Sequence, residues 1–182
     1  MSGVTIVLLC EDKQTDSFVR RFLKHRNFKY RDITTVSLSA GSGSGEQRVK
    51  EQYPTELKAI RQKAIRQKEQ AYLIVVIDAD THTVDERHAE LKQACEEEGI
   101  LPRNSRDANV LHIIPRRSIE TWFAYLEGNN VNESEIYPKL KRERDCKEHA
   151  ERLHHMCQTR RLREPVPPSL LEACNEYRSL CR

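Results

Sequence analysis

Tyr72-Leu73-Ile74-Val75-Val76-Ile77-Asp78-Ala79-Asp80 is the stretch on which the fold of this chain turns. Six apolar residues with no polar break read as a strand buried on both faces, because a half-exposed strand would alternate. An Asp-x-Asp then closes it. Towards the N-terminus, Val4-Thr5-Ile6-Val7-Leu8-Leu9-Cys10 is a second continuous run, rich in β-branched residues, and it too ends in acids, Glu11-Asp12. Residues 33–38 predict another strand and residues 109–114 a fourth, ended by Pro115.

The intervals between these runs carry helical spacing. Phe18, Val19, Phe22 and Leu23 recur every three or four residues after the first strand. Residues 46–70 form a long polar helical region that Pro54 is expected to interrupt and restart, since proline suits only a first turn. Within it Ala59-Ile60-Arg61-Gln62-Lys63 is repeated as Ala64-Ile65-Arg66-Gln67-Lys68, a period too short for any repeat architecture. A helix over residues 84–98 stops at Gly99, and another covers residues 118–126. Alternating strands and helices of this size predict an α/β fold: a three-layer sandwich around a mostly parallel four-stranded sheet.

Residues 1–128 make up this unit, with a boundary at Glu127-Gly128-Asn129-Asn130. Residues 129–182 read as a helical C-terminal extension packed on it, with helices over 138–163 and 169–181 around the break Pro165-Val166-Pro167-Pro168. The 182 residues are 37% hydrophobic and 32% charged, which excludes wholesale disorder. No apolar run reaches the roughly 18 residues of a membrane span, and the N-terminus lacks the pattern of a signal peptide. A cytoplasmic protein is expected, with its six cysteines as thiols. The net charge of +3 permits a polyanionic partner without demanding one.

Sites in open α/β sheets form beyond the carboxyl ends of the strands, where strand order reverses. Glu11, Asp78 and Asp80 all fall there. Carboxylates converging on one point cannot all stay ionised without a compensating cation, and a hard divalent ion such as Mg²⁺ or Mn²⁺ supplies it. Cys10-Glu11-Asp12 after the first strand and Asp78-Ala79-Asp80 after a later one resemble the Toprim superfamily, which includes primases, topoisomerases, OLD-family nucleases of phage defence and small ribonucleases. The resemblance covers roughly residues 1–128. Asp12 stands where that family commonly has glycine.

The resemblance implies that Glu11 is a general acid/base or metal-positioning carboxylate and that Asp78 and Asp80 are metal ligands. Pro115-Arg116-Arg117-Ser118-Ile119-Glu120-Thr121-Trp122-Phe123 looks like a segment of small stand-alone Toprim-like proteins related to defence systems, which makes Glu120 a further acid of the site. Metal-dependent hydrolysis of nucleic acid is the expected activity, since phosphodiester cleavage needs a metal to polarise an oxygen and activate water. The alternatives are a non-catalytic Toprim-like subunit and a haloacid-dehalogenase-type phosphatase. Against the phosphatase, His82 occupies the position where that motif has threonine. A larger ATPase or helicase partner is implied by the resemblance alone, and a homo-oligomer is left open beside it.

A polyanionic substrate calls for cations nearby. Lys13, Arg20 and Arg21 on the first helix, and Arg116 and Arg117 after the fourth strand, are the candidates. The Gly41–Gly45 stretch lacks a P-loop ending and reads as a surface loop near the sheet's carboxyl edge, a candidate lid. In the tail, Cys146, His149, His154, His155 and Cys157 invite a zinc reading. Cys146, Ala150, Leu153 and Cys157 nonetheless recur as an apolar stripe does, and Leu170, Cys174, Tyr177 and Cys181 repeat the pattern, so two helices packing through these stripes is the preferred account. Residues 139–163 carry nine basic and four acidic residues, a solvated face by default and otherwise a surface for a nucleic-acid backbone.

Overall fold

Strands that are apolar on both sides need a helical layer on each face, and the chain supplies both. The computed structural model describes residues 4–36, 43–67, 70–178 and 180. Four strands, β1 (Val4–Cys10), β2 (Ile33–Thr35), β3 (Gln70–Val76) and β4 (Val110–Ile113), form one sheet in the order β2-β1-β3-β4. Every neighbouring pair is parallel, with Ile6 opposite both Ile33 and Tyr72, and Ile74 opposite Leu111. The fold is the three-layer α/β sandwich that the hydrophobic pattern predicts.

Alternate residues of the same strands feed two cores. Val7, Leu9, Leu73 and Val75 pack beneath α2 (Gly45–Gln67) and α3 (Val84–Glu97). Ile6, Leu8, Ile74 and Val76 face the opposite way, into the core that contains α1 (Lys13–His25) and α4 (Ile119–Leu126). Asp12 caps α1 by accepting from the Thr15 amide at 2.8 Å, and a Thr83–Glu86 capping box opens α3. Gly99, at φ +65°, ends α3 in the left-handed conformation that glycine adopts without a Cβ penalty.

Pro54 does not interrupt its helix: α2 runs unbroken from Gly45 to Gln67. A mid-helix proline costs about 3 kcal/mol. Tyr53, Leu57 and Ile60 are buried on either side of it, and burial of one such side chain contributes about 1.5–3 kcal/mol, so packing outweighs the lost hydrogen bond.

The extension shares the apolar core of α1 and the sheet. Its helices are α5 (Lys147–Thr159) and α6 (Pro168–Arg178), and the rings of Phe22 and Tyr177 meet at 4.3 Å between centroids. Cys146, Ala150, Leu153 and Cys157 are buried along α5 and Leu170, Cys174 and Tyr177 along α6, as the packed-stripe reading requires. Two expectations are corrected. Cys157 and Cys174 are joined by a disulfide rather than held as thiols. The helix expected from Pro138 begins only at Lys147, after a short 3₁₀ turn, because residues 138–145 contain no apolar stripe to bury and a short helix without one is marginal.

Residues 37–42, which include the last two positions of the second predicted strand and the first two of the Gly41–Gly45 stretch, lie outside the described residues, as does residue 181. Among the described residues, no helix is long and apolar enough to cross a membrane.

Candidate functional site: an acidic cleft at the strand switch point

β1 has β2 on one side and β3 on the other, so the order reverses between β1 and β3 and a crevice opens at their carboxyl ends. Glu11 leaves the end of β1 and Asp78 follows β3. They meet there across 67 residues of sequence: Glu11 Oε1 accepts from the Asp78 amide at 2.7 Å. Gly45, the first residue of α2, presses against this junction. A Cβ at that position would stand 2.7 Å from the Glu11 carbonyl oxygen and 3.0 Å from its Cβ, so only glycine lets α2 start so close.

Asp78-Ala79-Asp80 is laced to the segment after β4. The amides of Ala79 and Asp80 donate to the carbonyls of Pro115 (2.8 Å) and Arg117 (3.1 Å). From behind, Arg87 of α3, wholly buried, donates to the Ala79 carbonyl at 3.2 Å and to the carboxylates of Glu46 and Glu90. Asp80 takes a left-handed backbone conformation, φ +53°, one that aspartate tolerates better than most residues. Its carboxylate pairs with the Arg117 guanidinium at 3.0 Å. Glu120, in the first turn of α4, is buried and accepts from Gln14 Nε2 of α1 at 2.8 Å.

Glu11, Asp78, Asp80, Arg117 and Glu120 line one cleft of about 370 Å³. Its walls hold six acids, Glu11, Asp12, Glu46, Asp78, Asp80 and Glu120, against two cations, Arg117 and Lys139. Charge is poorly compensated at its floor. Desolvation pushes the Glu11 carboxyl up to about 7, although the Asp78 amide partly stabilises its anion. Asp78 is raised well above the usual carboxylate range, by desolvation first and then by the charges of Glu11, Glu120 and Asp12. No group among the described residues donates a hydrogen bond to its carboxylate.

The structure therefore brings together Glu11, Asp78, Asp80, Glu120 and Arg117. It does not bring in the other predicted phosphate contacts. Lys13 sits exposed at the start of α1 and does not line the cleft. The Arg116 guanidinium turns to the His82 carbonyl, while its amide donates to Ser169 Oγ. Arg20 is spent on Asp16, Thr35 and the Ile33 carbonyl, and Arg21 does not line the cleft either. Sequence reasoning missed Arg87, Glu46 and Tyr137, and it named Lys139 only as one of the basic residues of 139–163, not as part of this cleft. Nothing local marks the first two among the many charges of α2 and α3, and the last two come from the extension.

As chemistry, the donor set fits a hard divalent cation: carboxylate oxygens, two of them strongly desolvated, with anionic charge in excess. Among the described residues no three acidic, histidine or cysteine side chains stand as a closed ligand group, in keeping with Asp80 turned to Arg117 and Glu120 to Gln14. Fold and site together define an α/β protein with an acidic cleft at its strand switch point. Compared with family models, curated proteins and solved structures, the chain finds no match.

Proposed function

We propose that this chain is a metal-dependent phosphodiester hydrolase acting on nucleic acid, with Glu11 and Asp78 as the principal metal-holding carboxylates. The observation that carries the reading is their junction: two desolvated acids from separate strand ends, tied by a 2.7 Å hydrogen bond from the Asp78 amide to the Glu11 carboxylate, with neither carboxylate paired to a cation among the described residues. The Toprim-like arrangement of Glu11, Asp78, Asp80 and Glu120 in the sequence supports the same assignment. Mg²⁺ or Mn²⁺ bound there would polarise a non-bridging phosphate oxygen and lower the pKa of a water.

The rest falls to side chains of the chain itself. Arg117 and Lys139 stand on the cleft wall, where they hold a substrate phosphate against the repulsion of the acids. Arg117 is restrained by Asp80; a phosphate competing for its guanidinium would free Asp80, which could then serve as a further ligand of the cation. Glu120, held by Gln14, closes the side of the cleft next to α4. Arg87 keeps the Asp78–Asp80 turn in place through the Ala79 carbonyl and is a positioning residue.

The test is cleavage of labelled single- and double-stranded DNA and RNA with Mn²⁺ and with EDTA. Metal-dependent cleavage that disappears in Asp78→Asn and Glu11→Gln, with both variants still folded, is the expected result. Cleavage that both variants retain, or no cleavage of any of the four substrates, overturns the proposal. The same acids would then serve a non-catalytic, cation-binding subunit.

A further inference from the structure

Beside the acidic cleft lies a smaller pocket of different make-up, about 250 Å³ in volume. Glu120, Tyr137 and Lys139 line both spaces, so the two adjoin. Phe123 and Ala124 of α4, with Pro138 and Leu140 of the extension, give the pocket apolar walls. Its other two acids are engaged elsewhere, Glu127 with His149 and Asp145 with Arg142, each at 2.9 Å. Lys139 and Lys141 have no ion-pair partner among the described residues. Where the pocket meets the cleft, Ile136 is 76% exposed, a large apolar side chain set beside acids.

The segment that carries these residues is fastened down. The Tyr137 hydroxyl accepts from the Asn132 amide at 2.9 Å. In the same turn, the Glu133 carboxylate accepts from the Ser169 amide at 3.1 Å and from the Ser169 hydroxyl. Ser169 Oγ in turn accepts from Trp122 Nε1 at 2.9 Å, which ties the turn to α4, the helix of Glu120 and Phe123. The pocket is therefore formed before any ligand arrives, and little ordering remains to be done on binding.

We propose that this pocket takes one unpaired base of the strand whose phosphate lies in the acidic cleft, with Tyr137 as its stacking platform and Lys139 and Lys141 on the flanking phosphates. The substrate of the cleft is then single-stranded nucleic acid. The inference rests on the reading of the cleft as a nucleic-acid site. A nucleobase has apolar faces and a charged backbone on either side, which matches apolar walls set between two unpaired lysines. The volume lies below the roughly 300 Å³ at which sites for drug-sized molecules begin, and so suits one ring system rather than a stack. Stacking on an aromatic ring tolerates any base, while a base inside a duplex is paired and stacked and must leave the helix to enter.

The experiment is a fluorescence titration of the whole chain with a single-stranded dodecanucleotide, the same strand made abasic throughout, its duplex, and adenosine monophosphate. Ca²⁺ is present to balance the acids, and cleavage is measured separately with Mn²⁺. The wild type is expected to bind the base-bearing strand on the order of ten-fold more tightly than the abasic strand, and Tyr137→Ala to remove that preference. Tyr137→Phe keeps the ring and loses the hydroxyl bond to the turn, and is expected to retain it. Lys141 is exposed, so Lys141→Gln keeps the fold; it should weaken both strands alike and lower the salt slope by about one. Equal binding of the two strands, binding of neither, a preference for the duplex, or equal losses in Tyr137→Ala and Tyr137→Phe overturns the proposal. Adenosine monophosphate binding as tightly as the strand also overturns it, in favour of a mononucleotide site. A Tyr137-dependent preference without cleavage in Mn²⁺ removes the hydrolase reading instead and leaves the base pocket standing.

Discussion

Asp78 and Asp107 are the same residue type in opposite surroundings. Asp107, 8% exposed, receives a two-pronged contact from Arg61 (2.9 and 2.6 Å) and a third donor from the Asn104 amide at 2.9 Å. Its carboxyl is held below the usual range, chiefly by the Arg61 hydrogen bonds. Asp78 is desolvated yet receives no donor among the described residues, and it lies near three further acids. Where stability is the only requirement, this chain places a guanidinium on a carboxylate. At the switch point Asp80 and Glu46 have guanidinium partners, but the carboxylates of Glu11 and Asp78 have none among the described residues.

The largest expected effect breaks the two apart on activity. Asp78→Asn should abolish metal-dependent cleavage, a loss well beyond the roughly 10- to 100-fold seen when only the supporting partners of a metal site are removed. Asp107→Asn should leave cleavage per folded molecule unchanged. Equal losses in the two variants, measured as single-turnover rates, would erase the distinction.

Stability should divide the other way. Arg61→Ala strands the Asp107 carboxylate and is expected to cost about 3 kcal/mol in urea unfolding at pH 7. Since the folded pKa of Asp107 is depressed, the contribution of the pair is present above the unfolded value of about 3.9 and is lost as pH falls through the folded value. A cost that stays constant down to pH 2 would show that the ion pair is not its source.

A smaller effect of opposite sign is expected at the cleft. Glu11 is raised from the usual carboxylate value to about 7, so the folded state holds its proton more tightly and stability declines as pH climbs from about 4.5 to about 7. Glu11→Gln keeps the acceptor for the Asp78 amide and removes the charge. It should therefore stabilise the protein by about 1–2 kcal/mol at pH 8, allowing for partial exposure, with the gain fading towards pH 4. Destabilisation at pH 8 would mean that the cleft carries no electrostatic strain.

The smallest shift is that of the metal itself. Saturation at about ten times Kd stabilises the folded state by about 1.4 kcal/mol, so Mn²⁺ should raise the melting temperature by a few degrees and EDTA should reverse the change. Asp107→Asn should keep this response and Asp78→Asn should lose it. A response retained by Asp78→Asn places the cation elsewhere.

The architecture was legible because continuous apolar runs such as Val4–Cys10 and Tyr72–Ile77 have one economical solution, a parallel sheet covered on both faces. Glu11 and Asp78 were legible for the same reason: strand ends in such a sheet share one edge. Pro54 misled because a local rule about helices lost to the burial of Tyr53, Leu57 and Ile60, none of which is visible as a partner in the local pattern. Cys157 and Cys174 read correctly as a packed stripe, while their bond depended on how two helices happen to face each other. Of the cations that reach the cleft, Arg117 was legible and the rest were not. Lys13 and Arg116 lie nearest the acids along the chain, yet Lys139 is the lysine on the wall, because a side chain is placed by the packing of its whole element. Sequence by itself determined the layers and the acids at their edge, through burial patterns that repeat along the chain. Only the tertiary structure decided which charges remain unbalanced there, because compensation depends on distances between residues that the chain brings together last.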